Sequence, residues 1–177
     1  MSYFEDFPET VLQVPARAAA WPTTLGELEA AERFVVWMFR RWVVAAKNHD
    51  ARQLDILAHE FRRQIGAAVS REGMMAAFEL VNTIRNHARR MIEYHQPCCG
   101  CLGSDEACVL TLVAAGQSGD EALTAGATAR WLVRDEGRDI LVANATRLGV
   151  ILADAALYLP QRGAGAVGPV PEAARLH

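Results

Sequence analysis

The chain has 177 residues and a mass of 19.4 kDa, the size of one ordinary domain. Its composition, 51% apolar and 22% charged, excludes a mostly disordered chain, and its formal net charge of −3 disfavours general nucleic-acid binding. No apolar run approaches a membrane span and no basic signal-peptide start is present, so we expect a cytoplasmic protein without membrane contact.

The N-terminal part of the chain is predicted to be an arm followed by a long helix. Residues 1–23 are acidic, contain three prolines and show no helical period, so they form the arm. Thr24-Leu-Gly-Glu27 matches a capping box, which predicts a helix from there to about Lys47. Its apolar residues occupy more than one face, which indicates a helix central to the core or buried between subunits.

Five further helices are predicted after the first. Asp50 is predicted to cap the second, whose apolar residues recur with a 3.6-residue period. The third is predicted over residues 71–95, with Arg85, Arg89 and Glu93 on its exposed face. The remaining three are predicted from Ser104 to about Ala115, from Asp120 to about Arg134, and over residues 138–158.

The fold class predicted from this pattern is all-α. No stretch alternates apolar and polar residues for long enough to predict a strand. We predict a bundle of about six helices, in which a longer N-terminal three-helix unit precedes a shorter C-terminal helical unit. The helical domain spans residues 24–159 and contains a cysteine-rich loop at 96–104. Residues 160–177, rich in Gly, Ala and Pro, are predicted to be a flexible C-terminal tail.

All four cysteines fall between residues 98 and 108, where the third and fourth predicted helices are joined. Cys98 and Cys101 form a C-x-x-C pair, a spacing that lets two thiolates bind one ion. A histidine before this pair and a cysteine after it complete a predicted tetrahedral metal site, for which zinc is favoured over an iron–sulfur cluster. The predicted ligands are His95, Cys98, Cys101 and Cys108, with Cys99 as a substitute ligand.

Two other interpretations of the cysteine cluster stay open at the level of sequence. In the first, Cys98 forms a redox pair with Cys101 or Cys108, which requires one thiol with a lowered pKa. In the second, the cysteines are reduced and pack as small apolar residues near a bend. Metal content and a thiol titration distinguish the three interpretations.

The motifs of common enzyme classes are absent from the sequence. It has no Walker A loop, dinucleotide-binding glycine motif or nucleophile elbow, so any enzymatic activity would depend on the thiols. Residues 33–95 carry eleven basic and six acidic side chains, which indicate either solvated helix faces or a basic groove for an acidic protein or a phosphate-bearing ligand.

We therefore predict a small, non-enzymatic helical binding or regulatory protein that acts through contacts with a protein partner or with a second copy of itself. Its Cys/His cluster is predicted to be structural or metal-sensing. The alternatives are a thiol redox protein that uses Cys98 and Cys101, and a metal-free helical adaptor.

Overall fold

A computed structural model describes residues 21–119 and 125–162 of the chain. The regular structure within these ranges is helical, with no strand, which confirms the predicted all-α class and the number of helices. The predicted arm before residue 21 and the predicted tail beyond residue 162 lie outside the described residues. A 3-10 turn at Leu25–Glu27 precedes the six helices, which are α1 (Ala30–Asn48), α2 (Ala51–Ile65), α3 (Ser70–His87), α4 (Ser104–Ser118), α5 (Gly126–Leu132) and α6 (Asp135–Asp154).

Local sequence predicts the start of the second helix correctly but places the start of the first helix too early. Glu27 accepts a hydrogen bond from the backbone N–H of Thr24 at 3.3 Å, as a capping box requires, but this pair encloses the 3-10 turn and α1 begins only at Ala30. Asp50 caps α2 as predicted, since its carboxylate accepts from the backbone N–H of Arg52 at 3.0 Å. Hydrogen bonds from the Gln53 side chain and from this N–H lower the pKa of Asp50.

The most buried helix is α4, in which every residue from Asp105 to Gly116 is buried. The sixth helix packs most extensively along α3 and α4, while α1 packs against α2, α3 and α4. Buried residues of α1 thus belong to the core of the chain, while its Trp37, Trp42 and Val43 are only partly buried. No helix in the two described ranges has the length and apolar character needed to cross a bilayer.

Two glycines bring the backbones of α4 and α6 into direct contact. A Cβ atom added at Gly116 would lie 2.5 Å from the Cα of Thr146, and one added at Gly149 would lie 2.7 Å from the carbonyl oxygen of Val113. Both distances are shorter than a carbon can tolerate, so this helix spacing requires glycine at both positions. The predicted end of the fourth helix near Ala115 is three residues short, because the helix continues through Gly116 to Ser118 and is capped by Gly119.

The predicted third helix is too long, because α3 ends at His87 rather than near residue 95. The backbone N–H of Arg89 donates to the carbonyl of Leu132 at 3.2 Å, and the N–H of Arg134 donates to the carbonyl of His87 at 2.8 Å. These bonds tie the end of α3 to the α5–α6 junction and replace the bonds that would continue the helix. Residues 88–103 consequently form an irregular segment between α3 and α4.

The last two helices also differ in their limits from the prediction. The fifth is helical over Gly126–Leu132, and its predicted start at Asp120 lies outside the described residues. The sixth begins at Asp135, three residues before its predicted start, so that Gly137 lies inside its first turn. It ends at Asp154, four residues before its predicted end.

Candidate functional site

The irregular segment contains residues 96–103, here called the cysteine loop, and Arg40 of α1 lies completely buried beneath it. The guanidinium forms a bidentate ion pair with Glu106 in the first turn of α4, at 2.7 Å from Nε and 2.8 Å from Nη2. Its other donors bind loop carbonyls, so all five N–H groups of the guanidinium are used. These carbonyls belong to Gln96 at 3.3 Å, Cys99 at 2.6 Å and Cys101 at 2.5 Å.

Glu106 is as buried as Arg40 and binds the backbone on both sides of the loop. Its Oε1 accepts from the N–H of His95 at 3.0 Å, and its Oε2 accepts from the N–H of Gly103 at 2.8 Å. The ion pair therefore fixes both ends and the middle of the cysteine loop. Burying two charges costs free energy, which this complete set of hydrogen bonds offsets.

The neighbouring Asp105 holds the chain that leads into the loop. Arg90 binds both of its carboxylate oxygens, at 2.8 and 2.5 Å, and the backbone N–H of Glu93 donates to Oδ2 at 2.8 Å. The hydrogen bond to Asp105 raises the pKa of Arg90. Arg89 donates to the carbonyl of Arg130 at 2.5 Å. This arginine pair therefore stabilises the irregular segment, which accounts for two of the basic residues noted in the sequence.

The structure places the four cysteines in two different environments, and all four are free thiols. Cys98 and Cys101 are exposed in the loop and Cys99 is half-buried, while Cys108 lies in α4 with only 2% of its surface exposed. Burial raises the pKa of Cys108 to about 12, so this thiol is neutral at physiological pH.

The predicted metal ligands are not gathered into a metal-binding group in the described part of the chain, where no three His, Cys, Asp or Glu side chains could hold an ion. The prediction that His95 ends a helix is wrong, because α3 ends eight residues earlier. The ring of His95 lies beside Gly103, 3.5 Å from where a Cβ of that residue would be. The zinc or iron–sulfur site at His95, Cys98, Cys101 and Cys108 stays a prediction without support from this geometry.

The thiols that the structure does bring together are those of Cys99 and Cys101. The backbone N–H of Cys101 donates to the sulfur of Cys99 at 3.4 Å, and a hydrogen bond between the two side chains raises the pKa of the Cys101 thiol. Sequence reasoning selected Cys98 and Cys101 from their C-x-x-C spacing and missed this C-x-C pair. Nothing in the sequence indicated that Arg40 would fold the loop so that these two residues meet.

The loop is also bound from the N-terminal side of the molecule. The N–H of Leu25 donates to the carbonyl of Gly100 at 2.7 Å, and the N–H of Leu102 donates to the carbonyl of Thr23 at 2.9 Å. The loop backbone is thus held between residues 23–25 on one side and the buried ion pair on the other, while the side chains of Cys98 and Cys101 stay exposed.

A second candidate site is a cleft of about 470 Å3 between α1, α3 and residues 88–94, here called the α1–α3 cleft. Its apolar lining comes from all three elements. The sequence does not indicate this cleft, because its shape depends on the irregular path of residues 88–94. The apolar pattern predicts a helix for these residues. The apolar side chains that line it include Phe39, Val43, Val81, Ile84, Ile92 and Tyr94.

The rim of the α1–α3 cleft is positively charged. Lys47, Arg85 and Arg90 line it, and none of the described residues that line it is acidic. Arg90 is paired with Asp105, whereas neither Lys47 nor Arg85 forms an ion pair within residues 21–119 and 125–162. Met91, also on the rim, is 89% exposed. The site therefore combines a partly exposed apolar surface with two cations that have no carboxylate partner in the described ranges.

An adjoining cleft of about 350 Å3 extends this surface toward α2. The two clefts share Ala46, His49, Val81 and Arg85, so Arg85 stands where they meet. Phe78 lines the second cleft with 41% of its surface exposed.

No family model, curated protein or solved structure matches this chain.

Proposed function

We propose that this protein is a non-enzymatic binding protein whose α1–α3 cleft holds a small apolar molecule that carries one negative charge, such as a medium-chain carboxylate. The observation that carries the proposal is the combination of an apolar floor with two rim cations, Lys47 and Arg85, that have no carboxylate partner in the described part of the chain. A binding role of this kind agrees with the non-enzymatic function predicted from the sequence.

The dimensions and chemistry of the cleft support a small ligand. Its volume of about 470 Å3 falls within the range of roughly 300–1,000 Å3 that is typical of small-molecule sites. Transfer of an apolar tail from water onto Val43, Ile92 and Tyr94, which are only partly buried, supplies affinity in proportion to the apolar area buried. A carboxylate at the mouth then reaches Arg85, whose planar guanidinium can bind both of its oxygens. The charge sets the orientation of the ligand and excludes cationic analogues.

Binding can be measured with anilinonaphthalene sulfonate, a fluorescent apolar anion, followed by displacement with decanoate. We expect the dye to become brighter on the native protein, and decanoate to displace it. Decyltrimethylammonium, which has the same tail and the opposite charge, should displace it poorly. Near-UV circular dichroism must show native packing in the same samples, because this dye also binds partly unfolded states.

Two variants separate the contributions of charge and shape. Arg85→Gln should weaken decanoate binding about fivefold, the effect of losing one solvent-exposed charge interaction. Ala46→Phe should block both clefts, because Ala46 lines each of them. The matched control is Arg71→Gln, which removes an exposed arginine at the opposite end of α3. Equal affinity for the three variants, or equal displacement by the two decyl compounds, would refute the proposal.

The metal-sensing and regulatory role predicted from the sequence is a separate proposal with its own test. Metal analysis of protein purified without a chelator or a metal-binding tag should find about one zinc or iron ion per chain if that role is correct. The loss of this ion in Cys101→Ser and in Cys108→Ser would identify the ligands. A metal-free protein with four reduced thiols would exclude the role and leave the cleft as the functional site.

A further inference from the structure

We propose that Cys99 and Cys101 form a reversible disulfide by exchange with low-molecular-weight disulfides, so that the cysteine loop is a two-electron redox site. The inference is independent of the α1–α3 cleft and differs from the sequence hypothesis in the identity of the pair. It rests on the contact between these two residues, on the exposure of the loop, and on the buried ion pair beneath it.

The contact between the two cysteines is built into the backbone of the loop. The sulfur of Cys99 lies 3.4 Å from the backbone nitrogen of Cys101 and accepts a hydrogen bond from its N–H. Arg40 binds the carbonyl oxygens of both residues, at 2.6 and 2.5 Å, and so holds their positions relative to one another. An intramolecular reaction between groups held in this way is favoured over reaction with a second external molecule.

The exposure of the cysteines decides which thiols take part. Cys101 is exposed and Cys99 is half-buried, so an external disulfide can reach the pair. Cys98 is exposed as well, so the test includes a variant at this position. Cys108 is 2% exposed in α4, so it is screened from external disulfides and serves as an internal reference.

The chemistry is two successive thiol–disulfide exchanges. The thiolate of one cysteine of the pair attacks a sulfur of the external disulfide, forms a mixed disulfide and releases one external thiolate. The thiolate of the other cysteine then attacks the protein sulfur of this mixed disulfide. The Cys99–Cys101 bond forms, and a second external thiolate leaves. The protein loses two electrons and two protons, and one external disulfide is reduced to two thiols.

The test is intact-protein mass spectrometry after the reduced full-length chain is equilibrated with mixtures of reduced and oxidised glutathione. We expect the wild type to lose the mass of two hydrogen atoms, with a midpoint set by the glutathione ratio, and peptide mapping to place the bond between Cys99 and Cys101. Cys98→Ser and Cys108→Ser should behave like the wild type. Cys99→Ser and Cys101→Ser should form mixed disulfides but no internal bond, and each mixed disulfide adds the mass of one glutathione less two hydrogen atoms.

Three results would overturn the proposal. One is a disulfide that disappears in Cys98→Ser but persists in Cys99→Ser, which would restore the C-x-x-C pair. Another is a wild type that accumulates only mixed disulfides, since its thiols would then react independently. The third is retention of one zinc ion per reduced chain that is lost in Cys101→Ser, because this thiol of the pair would then be a metal ligand. Unfolding curves measured on each serine variant show that it is folded under the assay conditions.

Discussion

Replacement of Arg40 by methionine should destabilise the protein more than any change of an exposed charge. The substitution keeps an unbranched apolar stem but removes the guanidinium. It leaves the completely buried carboxylate of Glu106 without its cation, and the carbonyls of Gln96, Cys99 and Cys101 without this donor. Removing one partner from a buried ion pair costs about 3–5 kcal/mol, because the remaining charge stays in a poorly solvated site. A domain of this size has a total stability of about 5–15 kcal/mol, so the loss is a large fraction of it.

Urea unfolding followed by far-UV circular dichroism measures this loss, and a double variant isolates its cause. Arg40→Met with Glu106→Leu removes both charges, so it should recover much of the stability lost in Arg40→Met alone. The matched control is Arg63→Met, which breaks the surface pair with Glu60, in which the Arg63 side chain is 63% exposed. Its unfolding curve should coincide with that of the wild type.

Local measurements show whether the damage lies where the structure places it. In Arg40→Met, hydrogen exchange should increase first across residues 96–103, and Cys99 should become more accessible to alkylation. A loss of less than about 1 kcal/mol in Arg40→Met would refute the reasoning, because a buried pair would then contribute no more than a surface pair. The reasoning would also be refuted if the losses in Arg40→Met and in Glu106→Leu simply added in the double variant, since the two side chains would then act independently.

Three further predictions follow from the packing and from the buried thiol. Gly149→Ala should lower stability by about 1–3 kcal/mol in thermal unfolding, because a Cβ would meet the Val113 carbonyl at 2.7 Å, whereas Gly100→Ala, with no atom within 4 Å, should change it little. Above pH 9.0 the unfolded chain ionises Cys108 while the folded chain keeps it protonated up to about pH 12, so stability should fall with rising pH in this window. Relative to Cys108→Ala, the free energy of unfolding should fall by about 1.4 kcal/mol per pH unit. The same pH dependence in the two proteins, measured by urea unfolding at each pH, would contradict this prediction. Asp105→Asn should speed proteolysis within residues 88–95, because the bonds to Arg90 and Glu93 weaken; an unchanged cleavage rate would exclude a clamp at Asp105.

Helix existence was predictable from the sequence because it depends on periodicity and caps within one segment. The second helix is the clearest case, with Asp50 at its start and a regular apolar stripe along it. The end of α3 was not predictable in this way. Residues 88–95 have a helical pattern, yet hydrogen bonds to the α5–α6 junction and to Asp105 draw them into an irregular path. Such long-range bonds leave no local signal.

The contacts that shape the cysteine loop and the helix packing were hidden in the sequence for the same reason. The spacing of the cysteines directed the prediction to this segment, and within it the structure brings Cys99 and Cys101 into contact. Burial of Arg40 was hidden, because an arginine next to Arg41 on a helix is typical of an exposed face. The role of Gly116 was hidden as well, since the sequence cannot distinguish a glycine that ends a helix from one that a neighbouring helix approaches closely.

The buried charges of α1 also bear on how the protein is made. Arg40 is separated by 66 residues from its partner Glu106, and the buried Glu32 by 130 residues from Arg162, which binds both of its carboxylate oxygens. A nascent chain emerges from the ribosome with its N-terminus first. The first helix therefore emerges before Glu106 and Arg162 have been synthesised. A nascent chain that stops short of α4 therefore holds two charges that water must solvate. We expect α1 to reach its native packing only after its partners, up to Arg162, have been synthesised.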